Sequence, residues 1–178
     1  DAAGAPDQAA LARAVEHAGI RVAPDDTWSD LFSRVMVERV DPALLHVGTE
    51  ERTPSPAIIL DRYPAHEAAL ARRSPDDPRV AERFELFVCG VELANAFGEL
   101  TDTNEQRRRL EAEMEEKERI YGKRYPLDED FLAALSAMPD ASGIAMGLDR
   151  LVMLATGATH INQVQWTPYT MPGTAARE

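Results

Sequence analysis

Polar side chains interrupt a strand-like segment near the middle of the chain, 90-GVELANAFGELTD-102. Glu92, Asn95 and Glu99 lie there among valine, leucine, alanine and phenylalanine. Two interpretations are open. These residues could form the solvated face of a strand, or they could line a cleft, because carboxylate oxygens bind hard divalent cations and pair with cationic substrates.

A hairpin is predicted around the first of these acids. Strand-like runs at 84–88 and 91–97 flank the dipeptide Cys89-Gly90, and two-residue loops of this kind join antiparallel strands. A loop at these two residues fixes which side chains face each other across the strands. The predicted cross-strand pairs are Phe87 with Glu92 and Leu86 with Leu93.

Glu85 and Glu92 share one face of this predicted hairpin, because side chains alternate along each strand. They would be diagonal neighbours, about 7 to 8 Å apart at the backbone. Like charges so placed repel each other unless a cation lies between them, and magnesium takes carboxylate oxygens. Paired acids on a strand face are also commonly solvated. These two acids could therefore form a metal site, or they could be surface residues that face solvent.

Strict alternation separates the first acid from the polar residues that follow it. Asn95, Phe97 and Glu99 fall on the face opposite Glu92 if the strand is regular. A bulge or twist near 94–96 would bring all of them to one cleft. A shared cleft therefore requires an irregular strand.

The second informative segment is 138-MPDASGIAMGLDRLVMLATG-157. Its small residues at 143–147 predict a buried strand, which turns into a helix from Leu148 that Gly157 ends. Arg150 lies in the first turn of that helix, where the helix dipole disfavours a cation. It could pair with a neighbouring acid at the surface, or it could bind a polyphosphate beside glycines that let the backbone approach.

The whole pattern predicts one α+β domain over residues 1–178, a mostly antiparallel sheet backed by helices. Apolar residues at helical spacing, together with capping residues and glycines, mark four further helices. A run bounded by two prolines predicts a short buried strand. The predicted helices cover 6–19, a stretch from 28 that ends before Pro42, 103–121 and a stretch after Asp128, and the strand lies within 56–64.

Composition and charge narrow the classes of function. With 44% hydrophobic and 28% charged residues, the chain has the composition of a globular protein. The formal net charge is -12, and the one basic cluster, 107–109, stands among glutamates on a predicted solvated helix face, so nucleic-acid binding by this chain alone is not expected. There is no membrane-length apolar run, no secretory leader and only one cysteine, Cys89, which predicts a cytoplasmic protein without membrane contact.

Two segments carry a resemblance to a known family. The run 147-GLDRLVML-154 resembles motif 3 of the class II aminoacyl-tRNA synthetases, and 84-FELFVCGVELANAFGELTD-102 resembles the segment before it in the lysyl branch. The sequence of these two segments is more similar to that of the stand-alone lysyl-tRNA synthetase paralogue that attaches (R)-β-lysine to elongation factor P than to that of the lysyl-tRNA synthetases themselves. The resemblance spans about 64–164 and is loose over the first sixty residues.

The resemblance implies a nucleotide site. In that site Glu85 and Glu92 hold magnesium and the phosphates of ATP, and the backbone around Leu93 lies near ATP. Gly147 lets the nucleotide approach, and Arg150 lies against the adenine ring and reaches the γ-phosphate. Glu92 and Arg150 are the two residues that it implicates in catalysis.

The resemblance also implies a site for a lysine-type amino acid. Glu99 accepts its side-chain ammonium, Asn95 helps to position the metal or the substrate, and Phe97 belongs to the same substrate pocket. The family usually has Asn-Gly-Phe at these positions. This chain has Ala96 in place of the glycine, which is expected to put a methyl group close to the pocket.

By the same resemblance, the chain is the C-terminal half of a class II catalytic core. It carries motif 3 at 143–155 and shows no motif 1 or motif 2, so alone it is expected to be inactive, whereas the complete protein would be a homodimeric, ATP-dependent ligase. Three interpretations are open. They are a ligase that activates lysine or (R)-β-lysine and transfers it to elongation factor P, a fragment of a lysyl-tRNA synthetase that acylates lysine tRNA, and a non-catalytic synthetase-like module that binds a nucleotide or a protein.

Overall fold

The computed structural model describes residues 7–46 and 57–167 of the chain. Four strands, each antiparallel to the next, form one sheet whose order follows the chain. They are β1 (Ala57–Asp61), β2 (Arg83–Val88), β3 (Val91–Gly98) and β4 (Ser142–Met146). The helices are α1 (Gln8–His17), α2 (Trp28–Val35), α3 (Asp41–His46), α4 (Thr103–Tyr121), α5 (Glu129–Leu135) and α6 (Leu148–Thr156). The α+β class predicted from the sequence is confirmed.

Local sequence signals set most of the helix ends. Asp102 and Asp128 accept backbone N–H groups at the starts of α4 and α5, as short acidic side chains do at helix N-termini. Gly122 and Gly157 follow α4 and α6 in the left-handed conformation, where glycine has no steric penalty. The predicted start of the first helix at Pro6 lies outside the described residues.

The second helix differs from its prediction at Pro42. The helical path does not end before this proline, because α2 continues through a π-helical turn, Met36–Val40, into α3. In that turn the N–H of Asp41 bonds to the carbonyl of Met36, five residues back. The wider turn gives a proline ring room that a regular α-helix would deny it.

Two strands that were predicted to be buried lie at the edges of the sheet. Among the strands of the described residues, β1 and β4 each pair with a single neighbour, and Ile59 and Ile144 are 62% and 61% exposed. The prediction of burial was wrong, because runs of apolar and small residues indicate a strand suited to burial but do not indicate what covers it. The predicted boundary of the first strand at Pro56 lies outside the described residues.

The basic cluster on α4 is only partly solvated. Arg107 and Arg108 pair with glutamates at the surface, as predicted. Arg109 is instead 12% exposed, and its Nη1 donates to the carbonyls of Ala68 and Ala71. The prediction of a solvated face was wrong for this residue, because it donates hydrogen bonds to a loop about forty residues away in sequence.

Small hydrophobic clusters hold these elements together. Val15 and Leu31 pack α1 against α2, and Ala71 and Ala81 pack beneath Phe97 of β3. The second cluster fixes the loop between β1 and β2 against the sheet. None of the helices in the described part of the chain is both long and apolar enough to cross a membrane.

Candidate active site

A β-bulge at Leu93 decides which side chains share a face of the sheet. Cys89 and Gly90 form the predicted two-residue loop, both with positive φ. Phe87 pairs with Glu92, as predicted. The predicted pairing of Leu86 with Leu93 is wrong, because the register shifts and Leu86 pairs with Ala94.

The extra residue brings Glu92 and Asn95 to the same face. Asn95 pairs with Glu85, and Phe97 pairs with Arg83. Because alternate residues of β2 share one face, their partners on β3 share it as well. The irregularity that a common cleft requires is present, one residue earlier than the predicted range. We call this side of the sheet the acidic face.

A cavity of about 450 Å³ lies over the acidic face. Glu85, Glu92 and Arg83 form its floor, and Tyr63 and Phe32 stand at its side. Its further lining residues come from the π-helical turn, α3, the loop before β2 and the hairpin: Met36, Asp41, Leu44, Glu67, Phe87 and Gly90. The two acids that sequence reasoning paired therefore line one cleft.

Both carboxylate oxygens of Glu85 are held by neighbours. Arg83 Nη2 donates to Oε1 at 2.5 Å, and the hydroxyl of Tyr63 donates to Oε2 at 2.5 Å. Burial, and then the hydrogen bond to this carboxylate, raise the pKa of Tyr63, so its hydroxyl stays protonated and remains a donor. Each oxygen of Glu85 keeps a second lone pair for a further ligand.

Arg150 reaches Glu92 from the start of α6. Its Nη1 donates to the backbone carbonyl of Glu92 at 2.6 Å and lies 3.5 Å from Oε2 of the carboxylate. A β-carbon on Gly147 would come within 3.2 Å of the Arg150 side chain, so the glycine leaves room for this approach. The N–H of Gly147 donates to the carbonyl of Leu93, which ties the start of the helix to the bulge.

Glu99 lies at the end of β3, beside Gly143 of β4. Its N–H donates to the carbonyl of Ala141, and a β-carbon on Gly143 would be 2.6 Å from Oε1 of Glu99. The carboxylate therefore occupies space that only a glycine leaves open. Gly143 pairs with Phe97, which lies on the acidic face. The Glu99 carboxylate, next to Gly143, therefore lies on that face as well.

The methyl group of Ala96 does not enter the acidic cleft. Ala96 pairs with Phe84 and with Ile144, and the alternation along β3 puts it on the face opposite Asn95. It is 4% exposed. The expectation that this methyl lies close to the pocket of acids is wrong, because the side chain points through the sheet.

The acidic face suits magnesium that arrives with phosphates better than a metal held by protein alone. In the described residues no group of three or more His, Cys, Asp or Glu side chains is placed to hold a metal ion. Magnesium is commonly bound by one or two carboxylates plus the phosphates of a nucleotide. Glu85 and Glu92 are two such carboxylates on one face, so the residues fit this mode of binding.

A second cavity, of about 520 Å³, does not contain either acid. Its lining combines Phe84, Ala96 and Ile144 with Phe97 and Gly143, at the far end of the strands. It is larger than the acidic cleft, but neither Glu85 nor Glu92 is among its described lining residues. The two acids singled out from the sequence thus lie at the smaller cavity.

Comparison with known proteins identifies the family of this chain. The family model described as class II tRNA synthetases (D, K and N) matches residues 12–171. This chain belongs to that class II tRNA synthetase family. The match includes both segments that form the acidic face and the start of α6.

Relatives within the class II synthetase family carry two kinds of name. An "Elongation factor P--(R)-beta-lysine ligase" of Avibacterium paragallinarum is 51% identical over 108 residues, 60% of this chain and 34% of that protein. One from Proteus mirabilis is 45% identical over 141 residues, 79% of this chain and 41% of that protein. A "Lysine--tRNA ligase" of Pelotomaculum thermopropionicum is 37% identical over 163 residues, 90% of this chain and 30% of that protein. The chain thus spans well under half the length of these relatives.

Sequence reasoning missed two residues of the acidic cleft, Arg83 and Tyr63. Arg83 was not singled out, although it stands two residues before Glu85 and alternation puts both on one face. Tyr63 was interpreted only as part of the strand segment between Pro56 and Pro64. Arg83 could have been found from this spacing, whereas Tyr63 reaches Glu85 through a loop fold that no local pattern indicates.

Proposed function

We propose that this chain is part of an ATP-dependent ligase that activates lysine or (R)-β-lysine as an aminoacyl-adenylate and transfers it to a lysine of elongation factor P. One observation carries the proposal: the bulge puts Glu85, Glu92 and Asn95 on one face, with Arg150 against Glu92. The relatives of 45% and 51% identity, which are named as ligases of this kind, support it.

In this proposal Glu85 and Glu92 hold magnesium together with the phosphates of ATP. When bound, the metal supplies positive charge that offsets the negative charge developing on the phosphates. Arg150 turns from Glu92 to the nucleotide, which its 46% exposed side chain permits, and stacks on the adenine ring. The bulged backbone at Leu93 and the absence of a side chain at Gly147 give the nucleotide access.

The amino acid is assigned to the end of the acidic face where β3 meets β4. Glu99 pairs with the substrate ammonium, and Asn95 and Phe97 line the space between it and the metal. In such chemistry the protein acts mainly by positioning the reactants and stabilising charge. We place the complete protein in the cytoplasm as a homodimer, in keeping with the resemblance.

Transfer to lysine tRNA is the second candidate function. The relative named "Lysine--tRNA ligase" aligns with 90% of this chain, a larger share than the two elongation factor P ligases cover. Against it stand the net charge of -12 and the burial of Arg109 in the one basic cluster, because binding of a phosphate backbone needs exposed cations.

Acceptor assays on the full-length protein that contains this chain separate these functions. The protein is incubated with ATP, magnesium and either L-lysine or (R)-β-lysine, and with either elongation factor P or lysine tRNA. A mass increase on elongation factor P supports the first function, and acylated tRNA supports the second. If neither transfer nor adenylate formation is detected, the interpretation that remains is the non-catalytic synthetase-like module. The 178-residue chain alone is the matched negative control, because nothing in its sequence resembles motif 2.

Gly143 offers a selective test of the proposed amino-acid site. Gly143→Ala places a methyl group where the Glu99 carboxylate lies, and the carboxylate, as the end of a flexible side chain, can move away without unfolding the sheet. We expect the KM for the lysine-type substrate in pyrophosphate exchange to rise about tenfold, with the KM for ATP unchanged. Ser142→Ala, the neighbouring exposed residue of β4, is the control. An unchanged amino-acid KM in Gly143→Ala would contradict the assignment of Glu99.

A further inference from the structure

Arg83 uses every nitrogen of its guanidinium on the acidic face. Nη2 donates to Glu85, Nη1 donates to the carbonyl of Glu67 at 2.9 Å, and Nε donates to Oδ1 of Asn95 at 3.4 Å. The guanidinium also lies 4.2 Å above the centre of the Tyr63 ring. A planar fork held at this many points has little freedom to rotate.

We propose that Arg83 is a positioning residue that fixes the carboxylate of Glu85 and the amide of Asn95 for the metal and the substrate, and that Tyr63 completes the clamp on Glu85. The inference rests on the proposed function, because it assigns a purpose to groups that the proposal places next to the reactants. Neither Arg83 nor Tyr63 is itself assigned contact with a reactant.

The clamp limits Glu85 to one orientation. With Arg83 on one carboxylate oxygen and Tyr63 on the other, the side chain cannot rotate without breaking a charge-assisted hydrogen bond. The lone pairs that remain have a fixed direction. Outer partners of metal ligands commonly act in this way, and their loss costs about 10- to 100-fold in metal affinity or activity.

Glu85 and Glu92 each have an arginine partner, and the two pairs differ in exposure. Arg83 is 18% exposed and paired with Glu85, which is 12% exposed, whereas Arg150 and Glu92 are 46% and 39% exposed. The pair of Arg83 with Glu85 is thus the more shielded from solvent, and the more exposed pair of Arg150 with Glu92 is the one that can open when a nucleotide arrives. Because each acid is offset by an arginine, the phosphates of the nucleotide are expected to contribute to metal binding.

Binding of Mn²⁺ measures this role without turnover. The full-length protein is titrated with Mn²⁺ in the presence of a non-hydrolysable ATP analogue, and bound metal is followed by electron paramagnetic resonance. Arg83→Met should weaken Mn²⁺ binding about 10- to 100-fold. Arg83→Lys should recover only part of this loss, because lysine restores the charge but not the three-point fork. Full recovery with lysine would show that charge alone matters and would overturn the positioning role.

Tyr63→Phe keeps the inference testable if Arg83→Met does not fold. The phenyl ring still supports Arg83, but the donor to Oε2 of Glu85 is lost, so we expect Mn²⁺ binding to weaken several-fold. Arg72→Met is the matched control, since Arg72 pairs with Glu82 outside the acidic cleft. Wild-type binding in Tyr63→Phe, or equal losses in Arg72→Met, would overturn the inference.

Failure of the inference and failure of the proposed function give different results. If the wild-type protein shows no Mn²⁺ binding with the nucleotide analogue and no pyrophosphate exchange, the proposed function falls and the inference falls with it. If the wild-type protein binds and exchanges while Arg83→Met matches it in both, only the inference is overturned.

Discussion

Glu92→Gln is expected to abolish most amino-acid activation by the full-length protein, with a fall of about a hundredfold or more in the rate of magnesium-dependent pyrophosphate exchange. The substitution removes one of two carboxylates assigned to the metal, and the loss of one preorganised electrostatic contact costs about 10²- to 10³-fold in kcat. The fold should remain intact. The side chains of Glu92 and Arg150 are 39% and 46% exposed, and ion pairs between exposed side chains contribute only about 0 to 1 kcal/mol to stability.

The control for this prediction is Glu82→Gln. Glu82 is 32% exposed, similar to Glu92, and it pairs with Arg72 away from the acidic cleft. Its substitution removes a comparable ion pair and should leave exchange within about twofold of the wild type, a change of under about 0.5 kcal/mol. Equal losses in both variants, or normal exchange in Glu92→Gln, would contradict the metal assignment.

Glu99→Gln should raise the requirement for the lysine-type substrate by well over tenfold and leave the KM for ATP nearly unchanged. In the proposed site Glu99 pairs with the substrate ammonium, and removing one member of a desolvated charge pair costs about 2 to 5 kcal/mol. The carboxylate lies against Gly143 at the end of β3, away from the pair Glu85 and Glu92. The nucleotide end of the cleft should therefore not respond.

Glu99→Asp separates charge from position. Aspartate keeps the negative charge on a shorter side chain, so it should lose less amino-acid affinity than Gln. The KM values for the amino acid and for ATP, measured separately by pyrophosphate exchange, check both variants. If the amino-acid KM of Glu99→Gln stays at the wild-type value, Glu99 is a solvated acid near the start of α4, and the lysine preference rests on resemblance alone.

The hairpin was predictable because its determinants are local. Alternating residues and a glycine in a two-residue loop act over a few positions, and they gave the pairing of Phe87 with Glu92. The sequence indicated that a common cleft would need a bulge, but it did not indicate the residue at which the bulge lies. Its place at Leu93 depends on packing, since this residue is 7% exposed, and on a hydrogen bond from Gly147, 54 residues further along the chain.

Long-range contacts explain why the burial of Arg109 and the role of Arg83 were not predicted. Arg109 looked like one of three surface arginines until the loop at 68–71 was placed against it. Arg83 looked like a charged residue before a strand, and its partners Tyr63 and Glu67 come from a loop with no periodic pattern. The residue types of the site were therefore readable from the sequence, but the contacts that orient them depend on how distant segments pack.

A crystal structure of the full-length protein with Mn²⁺ and a non-hydrolysable ATP analogue tests the central claim most directly. Anomalous scattering locates the metal independently of the interpretation of the rest of the map. The account predicts an anomalous peak within coordination distance of the carboxylates of Glu85 and Glu92, with Arg150 turned to the nucleotide. A nucleotide bound in the larger cavity beside Phe84 and Ile144, or a metal peak away from both acids, would contradict it.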